Sequence, residues 1–184
     1  MSNLTIRSAC GDDIPAIATI YAEAVETGTA SFELVPPDER EMLRRFEALS
    51  QGGFPYLVCL EAPEKAGGGE GRVLGYSYAG PYRPRPAYRG TVENSVYVAR
   101  DARRLGVGRA LLTRLIEETT ARDFRQMVAV IGDSDNVASI ELHRSMGFQM
   151  VGTLKNVGRK FDRWLDSVLM QHALGEGADT PPHR

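Results

Sequence analysis

The chain has 184 residues, 42% of them hydrophobic and 25% charged, with a formal net charge of -2. That composition fits one globular domain with a core that needs no covalent staples, and it gives no electrostatic ground for binding nucleic acid or an anionic membrane. Two cysteines, Cys10 and Cys59, and three scattered histidines lack the spacing of a disulfide framework or a metal site. No apolar run is long enough for a membrane span and residues 1–13 lack a signal-peptide profile, so the expected compartment is the cytoplasm.

Residues 4–7 alternate as a short strand. Asp12-Asp13 ahead of Ile14-Pro15 mark a helix start, a capping carboxylate with Pro in the first turn, and Ile14, Ile17, Ala18 and Tyr21 then share a face. Residues 26–37 lose this periodicity. A second helix is expected over 38–49, with Met42, Leu43, Phe46 and Leu49 as its apolar stripe and Gly52-Gly53 as its stop. Residues 56–60 and 72–79 read as an antiparallel hairpin. The Gly-rich stretch between them, 62–71, reads as flexible surface and not as a phosphate cradle. Residues 80–90 (GPYRPRPAYRG) interrupt the sheet, and their prolines make a stiff loop that holds its arginines in place.

A central strand follows at 91–98, then a helix over 105–121 with Leu111, Leu112, Leu115 and Ile116 facing inward. Residues 124–131 are a buried strand. Residues 136–146 form a short helix with Ala138, Leu142 and Met146 four apart, closed by Gly147 as a left-handed cap. The last strands are 148–154 and 167–173, separated by a charged and aromatic loop, GRKFDRWLD. Residues 1–174 make the domain, and 175–184 are expected to be a disordered tail. Seven strands and four helices in this order describe an α/β (α+β) protein with a mixed sheet, neither doubly wound nor a barrel.

The stretch 92–109 (VENSVYVARDARRLGVGR) carries the chemistry. A strand runs into a turn of Arg103, Arg104, Leu105, Gly106, Val107, Gly108 and Arg109, which opens a helix. Free N–H groups and the positive dipole end at such a helix start bind anions, and glycines let a bulky anion approach the backbone, which suits a diphosphate. The GxGxxG of a dinucleotide fold is missing from the first unit. Arg109-Ala110 stands where a P-loop needs Lys and Ser or Thr. Strand alternation puts Glu93, Ser95 and Tyr97 on one face. If partly buried, Glu93 gains the raised pKa of a useful base; the other reading is an exposed strand-edge carboxylate.

The turn also matches (Q/R)xxGx(G/A), and Asn136-x-x-Ser139 leads to Gly147-Phe148. With the strand before and the helix after, the chain resembles the GNAT acetyltransferases. TASFE (29–33), YAGPYRPRPAYRGTVENSVYV (78–98), VAVIG (128–132), NVASIELHRSMGF (136–148) and GRKFDRWLDSVLMQ (158–171) resemble the phosphinothricin and methionine sulfone N-acetyltransferases over residues 4–173.

The resemblance implies a single-domain GNAT fold, a mostly antiparallel seven-stranded sheet splayed between its fourth and fifth strands. It implies acetyl-CoA as co-substrate and no metal. Glu93 would be the general base, and His143 a second base or an acid where many relatives carry tyrosine. The backbone of Val96, Tyr97 and Val98 would meet the oxyanion and the pantetheine arm, and the turn 103–109 the diphosphate. Asn136 and Ser139 would bond the arm or the phosphates, although Asn136 is a good helix cap in any case. Arg83 and Arg85, whose guanidinium forks suit a carboxylate, phosphinate or sulfone oxygen, would grip a small amino acid between Phe32 and Tyr88. Relatives commonly form homodimers, and by that analogy the stretch around Trp164 would serve as such an interface. Acetylation of another amine or a peptide N-terminus, or CoA binding without catalysis, are the alternatives.

Overall fold

The computed structural model describes residues 4–61 and 71–181. Most of the expected flexible stretch 62–71, and the end of the expected tail, lie outside the described residues. The elements are β1 (Leu4–Ser8), α1 (Ile14–Thr27), α2 (Glu39–Gln51), β2 (Tyr56–Glu61), β3 (Val73–Pro81), β4 (Thr91–Val98), α3 (Val107–Ala121), β5 (Gln126–Gly132), α4 (Val137–Ser145), β6 (Gln149–Lys160) and β7 (Arg163–Ala173). All seven strands form one sheet in the order β1-β2-β3-β4-β5-β7-β6. Only β4 and β5 run parallel.

Both faces of the sheet are covered, so strands such as β2 read as continuous apolar runs. Tyr56, Val58 and Leu60 of β2 pack with Ile14, Ile17, Tyr21 and Met42 of α1 and α2. Their neighbours Leu57 and Cys59 point the other way, towards Leu111, Leu112 and Leu115 of α3. Each of these fully buried leucines contributes about 2 kcal/mol through apolar transfer. No described helix is long and apolar enough to cross a membrane.

Several expected boundaries move. The largest correction is at residues 158–166, expected as a loop, where β6 and β7 instead continue into a hairpin pairing Arg159 with Trp164 and Lys160 with Arg163. Its tip, Phe161-Asp162, has positive φ at both residues, 50° and 56°, as a two-residue turn matched to strand twist requires. No glycine marks that turn, so it did not read as one. Asp13 does not cap α1 through its side chain. Its buried carboxylate accepts two bonds from Arg7, at 2.7 and 2.9 Å, and one from the Cys10 amide at 2.8 Å. In α4, Ala138 is exposed, and Ile140 and His143 are the residues that enter the core. α3 begins at Val107 and not at 105, because Gly106 is left-handed with φ 86°. β3 runs on to Pro81, taking two residues from the expected 80–90 loop.

Candidate active site

β4 is the axis of the site. Along its first half it is paired on both sides, and its ladder with β5 covers Thr91 to Asn94 against Gln126 to Ala129. From Ser95 to Val98 it keeps only β3, while β5 turns its other edge fully to β7. A slot therefore opens between the two strands past Asn94 and Ala129. The β5-facing edge of Val96, Tyr97 and Val98 is left without a strand partner.

The upper end of that slot is the turn before α3. Residues 100–102 form a short 3-10 turn, after which Arg104 takes φ 66° and Gly106 φ 86°. Buried Val107 anchors the start of the helix in the core. The first amide to find a partner in the helix is Ala110, 3.0 Å from the carbonyl of Gly106. The amides of Val107, Gly108 and Arg109 precede it, as donors at a positive helix end. Arg103, Arg104 and Leu105 are exposed. The Arg109 side chain is engaged elsewhere: it donates to Ser145 Oγ at 3.0 Å and meets Met146 Sδ at 3.6 Å, tying α3 to α4. Its part in the turn is thus its backbone.

At the lower end stands Glu93, half-buried and paired with Gly80 on β3 and Val128 on β5. Burial pushes its carboxyl above the ordinary glutamate range, and the charge of Arg83 pulls it part of the way back. Further along the same strand face, Tyr97 lies 5.2 Å from Tyr76 in a stack and 5.0 Å from Tyr21 edge-on. These elements match what a long anionic carrier needs: backbone donors for a diphosphate, unpaired strand edge for an arm, and a basic carboxylate where the arm ends.

Comparison with known proteins decides the family. Residues 6–169 match the family model described as an acetyltransferase (GNAT) domain. The chain is 51% identical over 178 residues to a phosphinothricin N-acetyltransferase of Alcaligenes faecalis, covering 97% of this chain and 86% of that protein. It is 42% identical to an L-methionine sulfoximine/L-methionine sulfone acetyltransferase of Pseudomonas paraeruginosa, covering 96% of this chain and 98% of that one. The crystal structure of a GNAT superfamily phosphinothricin acetyltransferase from Sinorhizobium meliloti in complex with AcCoA superposes with a TM-score of 0.92 at 43% identity, covering 100% of this chain and 95% of that one. The chain belongs to the GNAT acetyltransferase family. It is an acyltransferase of the N-acetyltransferase class.

Within this GNAT fold the expected residues divide into two groups. Glu93, the edge of 96–98 and the turn 103–109 lie along one slot, as described. Arg83, Arg85 and Tyr88 come together with Arg89, Phe54 and Phe124 around a cavity of about 560 Å³. Thr91, two residues before Glu93 and on its face of the strand, also lines it. Arg83 lies over the Tyr82 ring at 5.0 Å. Phe32 is not part of that cavity: its ring lies against Gly132 at the end of β5 and Gly158 of β6. Asn136 caps α4, its Oδ1 accepting from the Ser139 amide at 3.3 Å and its Nδ2 donating to the Gly132 carbonyl at 3.1 Å.

His143 sits on the opposite side of the sheet from Glu93. It is 4% exposed, packed edge-on to Phe148 at 4.9 Å, with its Nε2 2.9 Å from Asn94 Nδ2 and its Nδ1 2.8 Å from the Ser139 carbonyl. Burial lowers its pKa, against the Ser139 carbonyl, which raises it.

Three further features shape the site. Asn94 was legible, since it is a polar residue in the buried register of Val92 and Val96. Buried Lys160 donates to the Ser31 carbonyl at 2.9 Å, and Arg45 bridges Glu33 and Glu41 at 2.7 and 2.8 Å. The Lys160–Ser31 and Arg45–Glu33 contacts hold the 28–37 segment over the sheet, and partners that far apart along the chain leave no local pattern. Among the described residues, no group of three or more His, Cys, Asp or Glu is placed to hold a metal.

Proposed function

We propose that this enzyme transfers the acetyl group of acetyl-CoA to the α-amino group of a small amino-acid-like acceptor of the methionine sulfone, methionine sulfoximine or phosphinothricin type. The observation that carries this reading is Glu93, a carboxylate whose basicity burial raises, on the strand whose free edge follows it and close enough to Arg83 of the arginine-lined cavity to feel its charge. The residues fit the carrier: the amides of Val107 to Arg109 would hold the diphosphate, and the free edge of 96–98 the pantetheine amides. Bound there, acetyl-CoA supplies a thioester carbonyl open to direct attack.

The acceptor arrives as an ammonium ion and must lose a proton before its nitrogen can attack. Glu93, which burial makes more basic than a surface glutamate, takes that proton. Arg85, with Arg83, grips the acceptor carboxylate through bidentate bonds. A backbone N–H of 96–98 faces the developing oxyanion. A peptide N-terminus lacks the carboxylate these arginines want, which favours a free amino acid. His143, whose ring nitrogens are both engaged, contributes by holding Asn94.

The test is thiol release from acetyl-CoA against a panel of sulfone, sulfoximine and phosphinate amino acids beside peptides and amine drugs. Turnover with the amino acids supports the reading, and turnover with none of them would sink it. The same reading includes a homodimer. β6 is an edge strand that exposes Met150, Val151, Leu154 and Val157, a surface that soluble proteins cover or blunt. Sedimentation at micromolar concentration reads the oligomeric state directly.

A further inference from the structure

Asn94 closes the floor of the slot. It makes the last β4–β5 pair, with Ala129, before the strands part. The distance from there to Val98 is ~13 Å at ordinary strand rise. An arm that starts at the turn of α3 and runs down the slot ends at this residue. Asn94 is only 6% exposed, and its Oδ1 has no hydrogen-bond partner among the described residues.

The orientation of its amide follows from His143. The Ser139 carbonyl, 2.8 Å from Nδ1, can only accept, so Nδ1 carries the hydrogen. Nε2 of the neutral ring is then an acceptor, and the Asn94 atom 2.9 Å away must be the donor, Nδ2. Oδ1 is thereby turned away from the ring and left unsatisfied. A buried acceptor without a donor is costly, and native proteins tolerate it where something else completes it.

We infer that Asn94, oriented by His143, is the recognition residue for the thiol end of the cofactor, its Oδ1 accepting the S–H of free CoA. This rests on the reading that the CoA arm fills the slot. The sulfur of acetyl-CoA carries no hydrogen and leaves Oδ1 unsatisfied. Once the acetyl group has gone to the acceptor, the C–S bond has broken and the leaving thiolate takes up the second proton that the attacking nitrogen sheds as the amide forms; the S–H so made has an acceptor to meet. An S–H is a weak donor, but the bond completes an acceptor that otherwise has none. The site therefore distinguishes product from reactant at a single atom, and favours the thiol.

Calorimetric titration of CoA, acetyl-CoA and desulfo-CoA, which lacks the sulfur, tests this without turnover. The wild-type protein is expected to bind CoA about fivefold more tightly than desulfo-CoA, the size of one neutral hydrogen bond. Asn94→Leu should erase that preference while holding acetyl-CoA within about twofold, because acetyl-CoA never made the bond. Asn94→Ser, too short to reach, should behave alike and serves if the leucine variant does not fold. Equal wild-type affinity for CoA and desulfo-CoA would overturn the inference, with no variant needed. So would a thiol preference that survives in both variants, or an equal loss for all three ligands, which would mark Asn94 as merely structural. Failure of the wild type to bind any of the three would overturn the cofactor reading itself, and this inference with it.

Discussion

The ring of Phe32 occupies the space that a side chain on Gly158 would need: a β-carbon there would stand 2.6 Å from the ring's Cδ2. Gly132, on the other strand, is equally tight, but there the carbonyl of Thr29 would also be 2.6 Å away. The two glycines together form a seat for the 28–37 segment. They differ in what must yield, a ring that can swing out in one case and a backbone that cannot in the other. Gly158→Ala is therefore expected to cost about 1 kcal/mol in urea unfolding, and Gly132→Ala nearer 3 kcal/mol, as overpacking against fixed atoms does. Equal losses would show that the ring is held as firmly as the chain.

Removing the basic carboxylate should leave the cofactor site whole. Glu93→Gln is expected to lower kcat at least about tenfold with CoA affinity unchanged. In the wild type, kcat/KM falls as pH drops through the Glu93 pKa, because the base is then protonated. Burial raises that pKa, so the acid limb should lie above the ordinary glutamate range. A limb at or below that range, or full activity in the glutamine variant, would place the base elsewhere.

Arg83 and Arg85 should separate by readout. Arg83 lowers the pKa of Glu93 through its charge, so Arg83→Ala should move the acid limb of the rate profile to higher pH. Arg85→Ala should instead raise the acceptor KM by about tenfold or more, the loss of a hydrogen-bonded charge. Arg85→Lys should recover only part of it, since the fork is gone. Indistinguishable pH profiles for wild type and Arg83→Ala would contradict the first assignment.

Gly106 isolates backbone strain from crowding. It has φ 86°, yet nothing lies within 4 Å of where a β-carbon would be. Gly106→Ala should thus cost about 1–2 kcal/mol through the left-handed conformation alone, and Gly106→Asn less. Both should weaken CoA binding to the degree that they reshape the turn. If alanine and asparagine prove equal, strain is not the cause.

The strand, the glycine turn and the helix after it were legible because they are local: alternation, glycine and 3.6-residue periodicity all act within a few residues. Full-length segment resemblance carried the family, and with it the splayed sheet. The Glu93 face also followed from the chain, since strand alternation is set by backbone geometry. What eluded the sequence depends on partners far along it. Lys160 meets Ser31, Phe32 sits on Gly132 and Gly158, and Asn94 meets His143. The hairpin at Phe161-Asp162 was missed because cross-strand pairing, and not a turn glycine, holds it. Burial likewise emerges only from packing. One β-strand bears Glu93 and Asn94 side by side; alternation turns them to opposite faces, and only the tertiary structure decides what each face meets, the charge of Arg83 for Glu93 and the buried ring of His143 for Asn94.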